Sequence, residues 1–124
     1  MFIKNSSLTS DEIEWIEFFL KHHTFEKDKI ITQISNAKVQ KEISPYYHIL
    51  RFYPVLNECD RLDRYGSYGS YVPTLQTVKE DGTAPVCVWL HVHKGYVSVF
   101  EIFNADSSEI DYNRLFEGRV VLDA

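Results

Sequence analysis

Histidines are the residues of this sequence best suited to metal or acid–base chemistry. His91 and His93 form an H-x-H pair in a β-rich run, a spacing that zinc sites use. A third ligand would have to come from elsewhere, because Cys87 lies too far along the same strand to share the metal. His48 lies close to two tyrosines, but no carboxylate near it in sequence would orient its imidazole. We therefore predict no catalytic residue, no metal site and no cofactor; a small histidine- or metal-dependent enzyme is the alternative.

A second group of residues has the composition of a binding loop. In the stretch "DRLDRYGSYGSYVP", tyrosines recur at every third position with only glycine and serine between them. Tyrosine offers rigid contact area at a small loss of entropy, and glycine and serine let the backbone adapt to a partner. Acidic side chains just before the tyrosines suit a basic partner surface. The alternative is a solvated loop whose tyrosines pack onto the sheet. The predicted partner-binding residues are Glu58, Asp60, Asp63, Tyr65, Tyr68 and Tyr71.

Size and charge limit the classes of function open to the chain. Its 124 residues fit a single domain, 1–124, that can fold around its own core. The net charge of −5 argues against nucleic-acid binding, which requires a clustered basic surface. We find no apolar signal region, no apolar run long enough to span a membrane and no disulfide framework in the sequence. We predict a soluble cytoplasmic protein, monomeric or homodimeric, that binds neither nucleic acid nor membrane.

Two helices are predicted in the N-terminal third of the chain. Thr9 and Glu12 form a capping box at the start of a helix over residues 10–22, whose apolar residues fall on one face. Trp15 either widens this apolar face or leans outward. Residues 28–36 also place their isoleucines at helical spacing, although their β-branched content would equally allow a strand.

Strands are predicted for most of the remaining chain. "VQKEIS", "YYHILRFYP" and "LQTVKEDG" each have the composition of a strand, and "RVVLDA" that of a small edge strand. In "PVCVWLHVHKGYVSVFEIF", two β-rich runs flank a tight turn at Lys94-Gly95, and symmetric pairing puts Trp89 opposite Phe100. A one-residue bulge would exchange the faces of one arm. The predicted fold is α+β, with N-terminal helices packed on an antiparallel β-sheet of about four to five strands.

The predicted hairpin carries apolar side chains on both of its faces. A strand with one face in water should instead alternate apolar and polar residues. Either both faces are covered inside the protein, or one of them contacts another protein. A homodimeric adaptor, which buries the second face between two copies, is therefore a further alternative.

Several of these elements resemble a widespread set of small bacterial domains of uncharacterised function. The resemblance covers roughly residues 29–110 and implies a fold more than a site. It favours a helix over residues 28–36. The tyrosine, glycine and serine stretch is not part of the family pattern. The matching positions are Gln33, Ile34, Ala37, Val39, Asp81, Gly82, Gly95, Tyr96, Val97, Ser98, Glu101, Ile102 and Phe103.

Stand-alone chains of this size also resemble immunity proteins, which bacteria encode beside polymorphic or contact-dependent growth inhibition toxins. Such proteins bind a cognate toxin domain, often a basic nuclease, and block it. The resemblance implies that this chain acts by stoichiometric protein binding rather than catalysis, with a cognate toxin domain as its partner. The acidity of the chain and its aromatic loop agree with this expectation.

Overall fold

A computed structural model describes residues 3–22, 26–63 and 74–123, in which two helices precede a six-stranded sheet. This confirms the α+β class and the N-terminal helices, but the sheet has six strands rather than four to five. No helix within these ranges is long and apolar enough to cross a membrane. The elements are α1 (Ser10–Lys21), α2 (Lys27–Ser35), β1 (Lys38–Ser44), β2 (Tyr47–Tyr53), β3 (Thr74–Val78), β4 (Val86–His93), β5 (Tyr96–Asn104) and β6 (Arg119–Asp123), with short 3-10 turns at Glu58–Asp60 and Tyr112–Arg114.

The first helix begins at the predicted capping box. The Thr9 hydroxyl accepts a hydrogen bond from the Glu12 amide at 3.1 Å, and the Glu12 carboxylate accepts one from the Thr9 amide at 2.9 Å. This exchange satisfies two amides that the start of a helix otherwise leaves without partners. The predicted helix over 10–22 is confirmed, with His22 at its C-cap.

The sheet is antiparallel throughout, in the order β1-β2-β5-β4-β3-β6. Three large side chains are direct neighbours across β2, β5 and β4 and are fully or almost fully buried: Leu50, Phe100 and Leu90. Phe19 of α1 packs edge-on against Phe100, with ring centroids 6.0 Å apart. The helices therefore cover one face of the sheet, where each fully buried large side chain contributes about 2 kcal/mol.

Residues 27–35 form a helix, not a strand, and a buried glutamine connects that helix to the sheet. The side-chain amide nitrogen of Gln33 donates to the carbonyl oxygens of Asp60 at 2.6 Å and Gly95 at 3.0 Å. Its amide oxygen accepts a hydrogen bond from the Val97 backbone at 2.7 Å. Gln33 thus joins α2 to the β4–β5 hairpin and to the chain that follows β2.

The β4–β5 hairpin departs from the predicted symmetric pairing. The two residue pairs nearest the turn match the prediction, but a register shift next to His91 leaves Ser98 without an opposite residue. The Ser98 hydroxyl donates to the His91 carbonyl at 3.2 Å, which stabilises this bulge. Every later pair is displaced by one residue, so Trp89 lies opposite Glu101, and the predicted pairing with Phe100 is wrong.

Gly118, just before β6, is a position where an added side chain should be poorly tolerated. Its φ is 104°, and a Cβ placed there would lie 2.2 Å from the Val78 carbonyl oxygen. We expect Gly118→Ala to lower the free energy of unfolding by roughly 3 kcal/mol, measured by urea denaturation.

Gly82→Ala is the matched control for this measurement. Gly82 also has a positive φ of 79°, but a Cβ there would meet nothing within 4 Å. The free energy of unfolding of the control should fall by only about 1 kcal/mol, which is the penalty of the backbone conformation alone. Equal losses in the two variants would show that the contact with Val78 is unimportant.

Candidate functional site

The predicted acidic residues lie in the part of the β2–β3 connection that the structure describes. Glu58 and Asp60 belong to the first 3-10 turn, and Asp63 follows it. The Glu58 carboxylate is 4.0 Å from the Arg61 guanidinium, and the Asp63 carboxylate is 3.4 Å from the Lys29 ammonium. Both acids are well exposed, so their charge is available but has a cation beside it. Tyr65, Tyr68 and Tyr71 lie outside the described residues, and their role in binding stays a prediction.

A groove between the outer face of α1 and residues 112–117 combines acidic and aromatic side chains. Its volume is about 810 Å³, within the range of ligand-binding clefts. We call it the acidic groove. Its lining comes from Asp11, Glu14, Trp15, Glu17, Phe18 and Lys21 of α1 and from Tyr112, Asn113, Leu115, Phe116 and Glu117.

Helical spacing explains why α1 supplies one wall of the acidic groove. Asp11, Glu14, Trp15 and Phe18 occupy positions i, i+3, i+4 and i+7, which lie along one stripe of a helix. The opposite stripe of α1 faces the core. Trp15 is half-buried and packs against the hydrophobic core while it also lines the groove, so it widens the apolar face of α1, which is one of the two orientations that the sequence allowed.

Stacked aromatic rings join the two walls of the groove. Trp15 stacks on Tyr112 with centroids 5.6 Å apart and planes 24° from parallel. Phe18 stacks on Phe116 with centroids 4.1 Å apart and planes 18° from parallel. Such pairs add about 1 kcal/mol each beyond the burial of their surface. The groove is therefore lined by two ring pairs with carboxylates around them.

The second wall is held in place by polar contacts with β3 and the turn after it. The Thr77 hydroxyl donates to the Leu115 carbonyl at 2.7 Å. The Arg114 guanidinium donates to Asp81 at 2.6 Å and to Glu117 at 2.9 Å. The hydrogen bond from Arg114 holds the pKa of the Glu117 carboxyl below its usual value. Glu117 is therefore ionised at neutral pH.

A buried polar network lies beside the groove and includes one of its ring residues. Glu12 and His48 are almost completely buried, and the Nε2 atom of His48 is 2.7 Å from a Glu12 carboxylate oxygen. The Nδ1 atom of His48 is 3.2 Å from the Tyr112 hydroxyl. The other Glu12 oxygen accepts a hydrogen bond from the Lys41 ammonium at 2.6 Å. Trp15 packs edge-on against the His48 ring, with centroids 4.9 Å apart.

The network keeps a carboxylate charged inside the protein. Burial by itself raises the pKa of Glu12, but hydrogen bonds from Lys41, the Thr9 amide and His48 outweigh that effect and lower the pKa below its ordinary value. Burial and the nearby Glu12 charge raise the pKa of Tyr112, so its phenol stays protonated at neutral pH. Tyr112 can therefore donate its proton in a hydrogen bond.

The network resembles a carboxylate–imidazole–hydroxyl relay, but its geometry favours a structural role. Both ring nitrogens of His48 already have partners, and its side chain is only 8% exposed. A general base needs a ring nitrogen within reach of a substrate proton. The network instead connects α1, β1, β2 and the second 3-10 turn, and so fixes both walls of the groove.

The other two histidine candidates lie on β4. The Nε2 atom of His91 lies 2.7 Å from the Glu101 carboxylate on the neighbouring strand. His93 is exposed beside the hairpin turn. In the described ranges, no three residues of the metal-binding types come together to form a site.

The sequence contained part of the signal for the acidic groove. The charged and aromatic stripe of α1 could have been identified from its helical spacing. The second wall could not, because residues 112–117 have no clear periodicity and their position depends on contacts with β3. The carboxylate partner of His48 was also missed, since Glu12 lies 36 residues away in sequence.

Comparisons of the chain with protein-family models, with curated proteins and with solved structures found no match.

The buried carboxylate can be tested by removing its charge. We expect Glu12→Gln to lower the free energy of unfolding by about 2 kcal/mol or more, because Lys41 and His48 lose a charged acceptor. Glu14→Gln, an exposed change on the same helix, should stay within about 0.5 kcal/mol of the wild type. Urea denaturation at pH 7 measures both.

The same variant should also change the pH dependence of stability. A carboxyl whose pKa is lowered by folding stabilises the protein above its unfolded pKa, near 4.5 for Glu12, and this contribution disappears as the pH falls through the folded pKa. The difference in stability between wild type and Glu12→Gln should therefore shrink on acidification below pH 4.5. A constant difference down to pH 2.5 would contradict the ionised buried carboxylate.

Proposed function

We propose that this chain is an immunity protein, which binds a cognate toxin domain stoichiometrically and blocks it, with the acidic groove as a main contact surface. The observation that supports the proposal is the lining of the groove: four carboxylates and one ammonium surround two stacked aromatic pairs. Such a surface favours a cation that also has an apolar or planar part.

An arginine side chain of a partner protein has the chemistry that fits this lining. Its guanidinium pairs with carboxylates through two parallel hydrogen bonds and also stacks on aromatic faces. Asp11 and Glu14 are exposed at the rim, and Trp15 and Tyr112 provide ring surface beside them. Nucleic acid is a poor ligand for the same groove, because phosphates are repelled by carboxylates.

Neutralisation of a basic nuclease would follow directly from this mode of binding. A nuclease holds its substrate's phosphates with arginine and lysine side chains, and an acidic protein that occupies them excludes the substrate. The opposite charges of this chain and a basic nuclease favour rapid association, and buried rings and paired charges favour slow dissociation. Nanomolar binding corresponds to about −12 kcal/mol, most of which a few anchor residues can supply.

The predicted loop provides a second surface for the same partner. Glu58 and Asp63 project exposed carboxylates, although each has a cation close to it. The groove has the greater excess of negative charge, and for that reason we assign it the leading role. The tyrosine stretch remains the predicted aromatic part of the second surface.

The first test is the identity and activity of the neighbouring gene product. We expect the gene directly upstream to encode a large secreted protein that ends in a short basic domain. Production of that C-terminal domain in a bacterial host should stop growth, and co-production of this chain should restore it. A neighbouring domain that is harmless, or one that this chain fails to neutralise, would contradict the immunity proposal.

The second test separates the groove from the loop. Binding of an inactivated form of the same C-terminal domain should weaken at least tenfold, by roughly 1.4 kcal/mol, in Glu14→Lys, because a repulsive charge replaces an attractive one. Glu80→Lys, an exposed change on the β3–β4 turn, makes the same change in net charge and should bind like the wild type. Calorimetric titration measures both affinities.

The loop is tested in the same titration. Changing Tyr65, Tyr68 and Tyr71 together to alanine should weaken binding at least tenfold and leave the melting temperature almost unchanged. If only this loop variant loses affinity, the leading role of the groove is wrong. If its melting temperature collapses, the tyrosines belong to the core and not to a contact surface.

A further inference from the structure

The outer edge of β1 is an unpaired strand edge with an unusual charge pattern. β1 ends the sheet order, and within the described residues no strand pairs with its outer side. Five of its seven residues are exposed. An unpaired edge presents a row of backbone donors and acceptors on which another strand can pair. We propose that two copies of this chain associate through their β1 edges, forming one continuous antiparallel sheet across a twofold axis.

Exposed apolar side chains are concentrated beside this edge. Of the eight large hydrophobic residues that are exposed in the described ranges, six lie between positions 43 and 56, in and just after the β1–β2 hairpin. Ile43 of β1 itself is 57% exposed. An interface along β1 would remove part of this surface from water, which favours association.

The side chains of β1 select one register for self-pairing. Residues opposite each other in an antiparallel pair point to the same face, and like charges directly opposite are unfavourable. In a twofold-symmetric register, one residue of β1 lies opposite its own copy, and three such registers pair at least five residues of each strand. One of them places Lys41 opposite its own copy, and another places Glu42 opposite its own copy. The third places Gln40 opposite Gln40, and Lys38 of each copy opposite Glu42 of the other.

This third register is chemically self-complementary. It creates two opposite-charge pairs related by the twofold axis, Lys38 with Glu42 and Glu42 with Lys38. Glu42 has the Arg51 guanidinium 3.6 Å away on β2, so Lys38 of the second copy would complete a short row of alternating charges. A twofold interface requires this property, because the same patch must fit itself.

Lysine on an edge strand often prevents pairing, but Lys41 is not free to act in that way. Its ammonium lies 2.6 Å from the buried Glu12 carboxylate, which neutralises it and draws it away from the edge. The exposed charges that remain on β1 are those of Lys38 and Glu42. They face each other only in the third register. In the register centred on Lys41 they face Ser44 and Gln40, and in the register centred on Glu42 that carboxylate faces its own copy.

A charge-exchange experiment tests the proposal with purified full-length chain. Sedimentation equilibrium over a wide concentration range should show a monomer–dimer equilibrium for the wild type. Lys38→Glu and Glu42→Lys should each weaken dimerisation roughly tenfold or more, because each puts two like-charge pairs at the interface. An equimolar mixture of the two variants should dimerise like the wild type, since every charge then faces its opposite. The double variant Lys38→Glu/Glu42→Lys should recover in the same way.

The recovery in the mixture excludes misfolding as the reason for any loss, because neither variant is changed by mixing. Glu80→Lys is the control for net charge and should dimerise normally. A wild type that stays monomeric at several hundred micromolar would overturn the proposal. So would single variants that dimerise normally, or a mixture that remains monomeric.

Cysteine cross-linking tests the assigned register of the two β1 strands separately. In a Cys59→Ser background, Gln40→Cys should form a disulfide-linked dimer under mild oxidation, because residue 40 faces its own copy. Glu42→Cys should not, because residue 42 faces residue 38. Cross-linking of Glu42→Cys with none of Gln40→Cys would overturn the assigned register.

Discussion

The structure depends on one buried carboxylate, that of Glu12. A charge inside a protein is strongly unfavourable unless it is paired and hydrogen-bonded, so its partners must come to it. Those partners are the amide that begins α1, the ammonium of Lys41 on β1 and the imidazole of His48 on β2, which in turn meets the Tyr112 hydroxyl. Because Lys41, His48 and Tyr112 come from β1, β2 and the second 3-10 turn, these contacts fix the position of α1 on the sheet and hold the two walls of the acidic groove together.

Gln33 acts in a similar way for the second helix. Its amide binds three backbone groups, two of them at the β4–β5 turn, so α2 has a fixed position on the sheet. Apolar contacts between helices and sheet supply most of the stabilisation, but they are not directional. The two polar side chains add direction: an unsatisfied partner of either one would cost about 1–3 kcal/mol, which penalises alternative packings of the same apolar surfaces.

The sequence predicted those parts of the fold that rest on local rules. The capping box at Thr9, the tight turn of the hairpin and the final edge strand follow from short motifs, and the structure confirms them. A one-residue bulge in the hairpin was left open by the sequence, but its position at Ser98 could not be predicted, because it depends on how a long hairpin twists against its neighbours. The candidate site was the part least predictable from the sequence, since the contact of Glu12 with His48 joins residues far apart in the chain. Periodicity on α1 could reveal one wall of the groove, whereas the other wall exists only through contacts made after folding.

The distribution of charge allows both proposed associations in the same molecule. The groove has three more carboxylates than ammonium groups in its lining, so two copies facing each other through it would repel, while a cationic partner would be attracted. Along β1 the exposed charges are balanced, and they attract only when a second copy is aligned in one register. A net charge of −5 therefore does not prevent self-association, because the excess lies away from the edge that would pair. Where charge is placed, more than how much of it the chain carries, decides which surface accepts a foreign partner and which accepts a second copy.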